Sequence, residues 1–488
     1  MANEVMMQAF EWDTLGDGSF YKNLTKNAKK LKENGIDGLW LPPMTKGGSD
    51  MDVGYGAYDL WDLGEFDQKG TIRTKYGSKE ELLEAIDALH QAGIKCYADV
   101  VLNHKGNGDE KEKFKAIMVD QNNRTDDVGE ETEIEAWTHF TFAGRDGKYS
   151  DMQWHWYHFT GVDYDALSET SAIYRIVGDG KYWDNDVSNE KGNFDYLMNN
   201  DIDHKHPEVR EELFRWADWF IDETKVDGFR YDALKHISEE FIRDLSCHIT
   251  EERGIENFYL FGEFWQYSKE AMENYLEKTA YQVDLFDVPL HFHMEEASKS
   301  MGNYDMRKIF DNTIVKDFPE QAVTFVDNHD SQPGQGLESW VEEWFKEIAY
   351  ALILFRKDGY PCVFAGDYYG LRGPVKTDPL EEMINNMIKV RKNYNYGEQD
   401  DYFDDQAVIG WVRRGDDEHK PLAVLISIRD MAEKQMHVGE AEAGATYVDL
   451  SGKNEDIVID EDGNGVFTVG PGEVTYWANK ETLWNIMQ

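Results

Sequence analysis

The sequence predicts an α/β protein built on a closed (β/α)8 barrel, the TIM-barrel class, and three observations carry that prediction. Eight short apolar runs recur over the first three quarters of the chain. Amphipathic, helix-like stretches lie between most of them. No glycine-rich phosphate turn follows an early run, which an open doubly wound sheet, the alternative architecture, would require. At 488 residues the chain is long enough for such a barrel with additions.

The candidate strands are residues 5–10, 38–41, 95–102, 226–230, 258–261, 283–286, 322–326 and 361–364. Each is short, apolar and rich in aromatic or β-branched residues, as strands buried on both faces are. Residues 79–91, 207–223, 238–251 and 341–355 show helical periodicity. One interval breaks the alternation: residues 103–205 are long, polar and aromatic, with no helical period. A compact fold rarely carries so long a structureless connection, so this stretch reads as an inserted domain B after the third strand. The cluster Trp154 to Phe159 within it reads as packing of that domain. From residue 393 the pattern becomes short alternating runs, such as 407–412, 422–426 and 465–469. These predict a C-terminal antiparallel β-sandwich. The expected division is therefore 1–102 with 206–392 for the barrel, 103–205 for the insert and 393–488 for the sandwich. Asp460, Asp462 and Asn464 superficially resemble a calcium loop, but Pro471 stands where its last carboxylate belongs, so they read as a hairpin turn.

Charge and composition exclude several function classes. With 96 acidic against 50 basic residues the net charge is −46, which repels nucleic acids and anionic membranes and suits a neutral substrate. No apolar run approaches the roughly 20 residues needed to span a bilayer. The first residues carry neither a basic nor a long apolar leader, so a cytoplasmic protein is expected, with a monomer favoured. Cys96, Cys247 and Cys362 are far apart and read as buried free thiols.

Side chains at the C-terminal ends of barrel strands face the active site. Four predicted strands end in polar groups there: Asp99 to His104, Gly228 to His236, Phe261 to Trp265 and Phe325 to Asp330. Singly each motif is weak; four in order are specific. Cleaving a glycosidic bond with retention needs one carboxylate to attack and one carboxylic acid to protonate the leaving oxygen, about 5–5.5 Å apart. Asp232 suits the nucleophile, because the permanent positive charge of Arg230, two residues earlier, favours its ionised form. Glu263 suits the acid/base. Asp330 would bind sugar hydroxyls, His104 and His329 would bridge further hydroxyls, and Tyr55 would stack on the ring.

These strings resemble the four signature regions of the α-amylase family of glycoside hydrolases. Nearly the whole chain is similar to bacterial liquefying-type members, notably Gly54-Tyr55-Gly56-Ala57-Tyr58-Asp59-Leu60, Gly192-Asn193-Phe194-Asp195-Tyr196-Leu197-Met198 and Tyr402-Phe403-Asp404. The resemblance implies endo-cleavage of α-1,4-glucosidic bonds in starch, glycogen or maltodextrins, with Asp232 as nucleophile, Glu263 as acid/base and Asp330 as transition-state stabiliser. It places Tyr55, His104, Arg230 and His329 around the cleaved sugar, and Lys235 and His236 toward the leaving group. It also implies a structural calcium held by Asn103, Asp195, Asp201 and the His236 carbonyl. Related enzymes hold further ions. Asp184 and Asp203 match those sites, but Thr160 and Lys205 replace two acidic positions, so the extra ions are expected to be absent or rebuilt. A further calcium near Gly302, Tyr304 and Asp401 lacks its match at Ile428.

Three other readings compete. A zinc-dependent barrel hydrolase would need a His-x-His pair ending the first strand, and His204/His206 and His291/His293 fall elsewhere. A catalytically silent sugar binder is expected to have lost one of the three acids. A glucan transferase of the same family differs only in the acceptor of the glycosyl group.

Overall fold

A computed structural model describes residues 3–485. Eight parallel strands close into a barrel: β1 (Met6–Gln8), β2 (Gly38–Leu41), β3 (Lys95–Val100), β4 (Gly228–Tyr231), β5 (Tyr259–Gly262), β6 (Asp284–Phe286), β7 (Ala322–Phe325) and β8 (Tyr360–Phe364). Closure is made by β1, where Met6 pairs with Gly38 on one side and Cys362 on the other. All eight predicted strands form, each shifted by at most a few residues. The open doubly wound sheet is excluded.

The barrel is packed, not hollow. Met6, Trp40, Tyr97, Phe261, Phe286, Val323, Phe325 and Tyr360 fill it with Phe10 above them. Large interior side chains leave room for polar groups only at the strand ends, which is where the chemistry sits. The helices follow from local signals. Lys79–Gln91 starts at a reciprocal cap between Ser78 and Glu81. Pro207–Thr224 starts with proline at its first position and ends where Lys225 turns left-handed at φ 60°. Its Val209, Leu213, Trp216, Ala217 and Phe220 form the stripe that packs on the barrel. The predicted helix over 238–251 is α-helical only to Cys247; His248–Glu252 continues it as a π-turn.

Between β3 and β4 the chain forms a six-stranded antiparallel sheet. Its order is His104–Lys105, Asn200–Ile202, Phe159–Asp165, Thr170–Ile176, Glu110–Met118 and Thr132–His139. Trp154 and Phe159 are buried in its core, and Trp156 stacks on Phe114 at 5.6 Å, so this aromatic cluster packs the insert as expected. The first strand of that sheet follows directly on β3 and pairs with Asn200–Ile202, which leads back to the barrel helix Pro207–Thr224, so the insert leaves and re-enters at the rim of the barrel mouth.

Beyond the last barrel helix (Glu381–Tyr394), a six-stranded antiparallel sheet faces a two-stranded one, Ala432–His437 paired with Asn464–Val469. Val412, Leu425, Met436, Tyr447, Phe467 and Trp477 fill the space between them. The other face of the larger sheet, including Trp411, Val424 and Tyr476, joins the main core. Residues 460–464 make a turn in which the Asp460 carboxylate accepts the Asp462 and Asn464 N–H groups at 3.0 and 2.8 Å. The three cysteines are free; Cys96 and Cys362 are buried, while Cys247 is only partly so.

Candidate active site

Arg230, on β4, is the centre of the barrel mouth. It is fully buried, and burying a guanidinium without partners would be prohibitive, so carboxylates surround it. One terminal nitrogen donates to Asp99 at 2.9 Å and to Asp232 at 2.7 Å, and the other donates to Glu263. Asp232 follows Arg230 by two residues at the end of β4, and Glu263 follows the last residue of β5. The register Tyr231 to Gly262 sets these two tips side by side. The Glu263 N–H donates to the Tyr231 carbonyl at 3.0 Å, and the Leu234 N–H donates to the Glu263 carbonyl at 2.9 Å, so both turns are fixed by backbone.

Asp330, His329, Tyr55 and His104 come to this region from other strands, while Lys235 and His236 lie on the turn after β4 itself. Asp330 and His329 sit on the turn after β7, with His329 Nε2 3.3 Å from Asp330 Oδ2. That turn is pinned by Asn328, which accepts the Asp330 and Ser331 N–H groups, and by Asp327, held by the buried Lys346 at 2.6 Å. Tyr55 donates its hydroxyl to Asp99 at 2.8 Å, and its ring lies parallel to His329 at 5.1 Å. His104 Nε2 lies 2.8 Å from the Tyr55 carbonyl, so its ring braces the backbone of the stacking residue. Lys235 reaches from the β4 turn to the Trp265 carbonyl at 3.0 Å and to Glu190 of the insert at 3.2 Å. His236 is buried, its Nδ1 2.7 Å from the Phe194 carbonyl.

Desolvation sets the proton affinities here. Burial, reinforced by the charges of Asp232 and Asp99, pushes Glu263 up to about 7 against the pull of Arg230. Asp330 is driven well above the usual carboxylate range by burial and by Glu263 and Asp232. Burial raises Asp99 to about 6, although Arg230 draws it down. His104, His236 and His329 are all pushed down by burial, His236 to about 3, so each is neutral at pH 7.

Beside the barrel mouth, Asn103, Asp195 and Asp201 lie together, buried to 0–1% exposure. Asn103 Oδ1 and Asp201 Oδ1 have no hydrogen-bond partner. Burial pushes Asp195 up to about 7, and burial together with the Asp195 charge drives Asp201 well above the usual carboxylate range. An orphaned amide oxygen and an orphaned carboxylate oxygen, buried beside a second carboxylate, are a donor set fitted to a hard dication. The other acids are different. Asp184 pairs with Lys205, and Asp203 pairs with Lys181. Thr160 donates its hydroxyl to Asp201. Protein cations thus stand against the two additional acids. At the third predicted position, Arg429 donates to the Gly302 carbonyl at 2.8 Å and Arg356 takes Asp401 at 2.5 and 3.0 Å.

Three groups were missed by the motifs. Asp99 was seen only as a strand end, yet it accepts from Arg230, Tyr55 and the Trp40 indole (3.0 Å); a charged residue inside an apolar run was the available signal. Trp12 lies parallel to Tyr55 at 6.1 Å and to His329 at 6.0 Å. Gln8 contacts His329 Nδ1 at 2.9 Å. Gln8, a polar residue inside the apolar run 5–10, offered the same kind of signal as Asp99, whereas nothing in the sequence distinguished Trp12 from other rim residues.

A closed barrel bearing buried carboxylates around one arginine at its C-terminal mouth defines the glycoside hydrolase class. Comparison with known proteins is specific. The α-amylase catalytic-domain model matches residues 13–407, and the chain belongs to the α-amylase family. It is 48% identical to the α-amylase of Bacillus licheniformis, over 98% of this chain and 94% of that protein. It is 48% identical to a glucan 1,4-alpha-maltohexaosidase of Bacillus sp. strain 707, over 98% and 93%, and 40% identical to the cytoplasmic α-amylase of Escherichia coli, over 99% and 100%. The fold is shared with the α-amylase of Geobacillus thermoleovorans complexed with acarbose, at TM-score 0.64 and 15% identity over 98% of each chain. The protein is accordingly an enzyme, a glycoside hydrolase of the α-amylase type.

Proposed function

We propose that the chain is a retaining endo-hydrolase of α-1,4-glucosidic bonds in starch, glycogen or maltodextrins. The observation that carries this reading is the single buried guanidinium of Arg230 shared by Asp232 and Glu263. Two carboxyl groups held by one guanidinium lie within the span of a single side-chain head, which is compatible with the short separation of a retaining pair. Asp232 attacks the anomeric carbon while Glu263 gives its proton to the leaving glycosidic oxygen. The bond to that oxygen breaks and a glycosyl ester forms on Asp232. Esterification removes the Asp232 charge, which lowers the proton affinity of Glu263, so the Glu263 carboxylate takes a proton from water. The resulting hydroxide displaces Asp232 and releases an α-configured product. Asp330 and His329 hold sugar hydroxyls as the ring flattens toward its oxocarbenium-like transition state, with Tyr55 as the stacking face.

The insert carries a groove of about 430 Å³, where exposed Trp137 and Tyr164 flank Asn107, Asn199 and Asn200. Aromatic faces beside amides suit a long neutral glucan. The names of the Bacillus relatives agree with this substrate class. Asn103, Asp195, Asp201 and the His236 carbonyl would hold one calcium, whose part is to fasten the insert to the barrel mouth. The E. coli relative's name supports a cytoplasmic setting. Transferase action would use the same steps with a sugar hydroxyl in place of water.

The test is a time course on soluble starch and a maltooligosaccharide series, with NMR of fresh digests. Early mid-length products with α-anomers are expected. Initial β-anomers would exclude retention, and products longer than the substrate would favour the transferase.

A further inference from the structure

His329 is almost completely enclosed, at 1% exposure, and its surroundings are unusually apolar for a polar ring. Phe10, Trp12, Trp40 and Tyr55 pack around it with ring centres 5.1–6.0 Å away. Nδ1 meets the side-chain amide nitrogen of Gln8 at 2.9 Å. Nε2 has no hydrogen-bond partner and lies 3.3 Å from Asp330 Oδ2. The neutral imidazole carries one N–H, so the two nitrogens have opposite characters.

Two ends of the ring require the same choice. A lone pair on Nε2 would face a carboxylate oxygen 3.3 Å away, whereas an N–H there is drawn toward it, although no hydrogen bond joins the two in this geometry. At the other end, the NH₂ group of Gln8 faces Nδ1 and can only donate, which requires the lone pair at Nδ1. Gln8 is itself 1% exposed on the last residue of β1. Its carbonyl oxygen is buried with no partner, so the ring itself sets the amide orientation: with Nε2–H turned to Asp330, Nδ1 is the acceptor and the NH₂ group is the end that meets it.

We propose that Gln8 is a positioning residue that fixes His329 in the Nε2–H tautomer. The only N–H of His329 is thereby presented to Asp330 and to a hydroxyl of the cleaved sugar. This inference rests on the reading of His329 and Asp330 given under the proposed function. It assigns to the first strand of the barrel, which supplies no acid or base, control of a proton in the centre of the site. Gln8→Glu replaces the donor with an acceptor and drives the proton onto Nδ1. Gln8→Met keeps the length and removes the donor, leaving the tautomer unset.

The experiment labels histidine with ¹⁵N in the full-length protein and records two-bond proton–nitrogen correlation spectra. His329→Gln identifies the His329 signals by their loss. The expected wild-type pattern is an unprotonated Nδ1 and a protonated Nε2, and Gln8→Glu is expected to give a protonated Nδ1. In Gln8→Glu kcat on a maltooligosaccharide falls about tenfold or more, with KM changed by less than about threefold, because a donor to the transition state is lost while binding area is kept; in Gln8→Met, where the ring keeps Nε2–H part of the time, the fall is smaller than in Gln8→Glu. A wild-type Nδ1–H overturns the proposal even if neither variant folds. So does a Gln8→Glu protein that keeps the Nε2–H pattern. A switched tautomer with unchanged turnover would leave Gln8 in control of the ring and would instead remove His329 from the catalytic reading.

Discussion

Arg230→Gln tests the electrostatics of the site most directly. The guanidinium contacts Asp99, Asp232 and Glu263 and is wholly buried. Charges about 4 Å apart at an effective dielectric near 20 interact by roughly 4 kcal/mol. At about 1.4 kcal/mol per pK unit, that is up to roughly three units on a single carboxylate. Shared among three acids and relaxed by the new amide, at least about one unit should reach Glu263. Arg230 holds Glu263 down, at about 7, so its removal moves that value up. In the proposed mechanism the protonated form of Glu263 is the working acid, so the alkaline limb of kcat/KM shifts to higher pH by about one unit or more. The absolute rate falls, by roughly 10³-fold, because the two carboxyl groups lose their common anchor. The assay is the pH dependence of kcat/KM on a chromogenic maltooligosaccharide whose good leaving group keeps the residual rate measurable. An alkaline limb that stays in place, or moves down, would refute the argument.

Asp232→Asn and Glu263→Gln should each lower turnover by at least about 10³-fold, since one removes the nucleophile and the other the transferable proton; near-native activity in either would contradict the assignment. Removing calcium with a chelator should lower the melting temperature and calcium should restore it, more at pH 8 than at pH 5 because the carboxylates bind only when deprotonated. Asp201→Asn should abolish that calcium response while the protein still folds, as judged by scanning calorimetry. Arg429→Met should lower the melting temperature by loosening the Gly302 contact between barrel and C-terminal sheet, and should leave the calcium response as it was.

The sequence was legible where a local pattern and a global constraint coincide. Each barrel strand is an apolar run buried on both faces, and Lys79–Gln91 was readable to the residue because its cap and its periodicity agree. Asp232, Glu263 and Asp330 were legible because polar groups at strand tips cannot sit in an apolar core. The insert was legible only as an interruption. Its strands alternate weakly and carry bulges, as between Glu110 and Glu112, which blurs the period of two on which strand recognition rests. The π-turn at His248–Glu252 had no distinct signature either.

Chain order alone fixes which residues can end a strand, and with it the barrel, the acids at its strand tips and the arginine two residues before Asp232. Which side chains then touch is a matter of register and closure. Only the closed sheet brings Gln8 against His329, 321 positions apart, and Asp99 against Arg230. Only folding sets Lys181 and Lys205 against acids that could otherwise have held metal. These are contacts between distant segments, selected by burial and charge after the backbone is placed, and no local stretch of sequence encodes them.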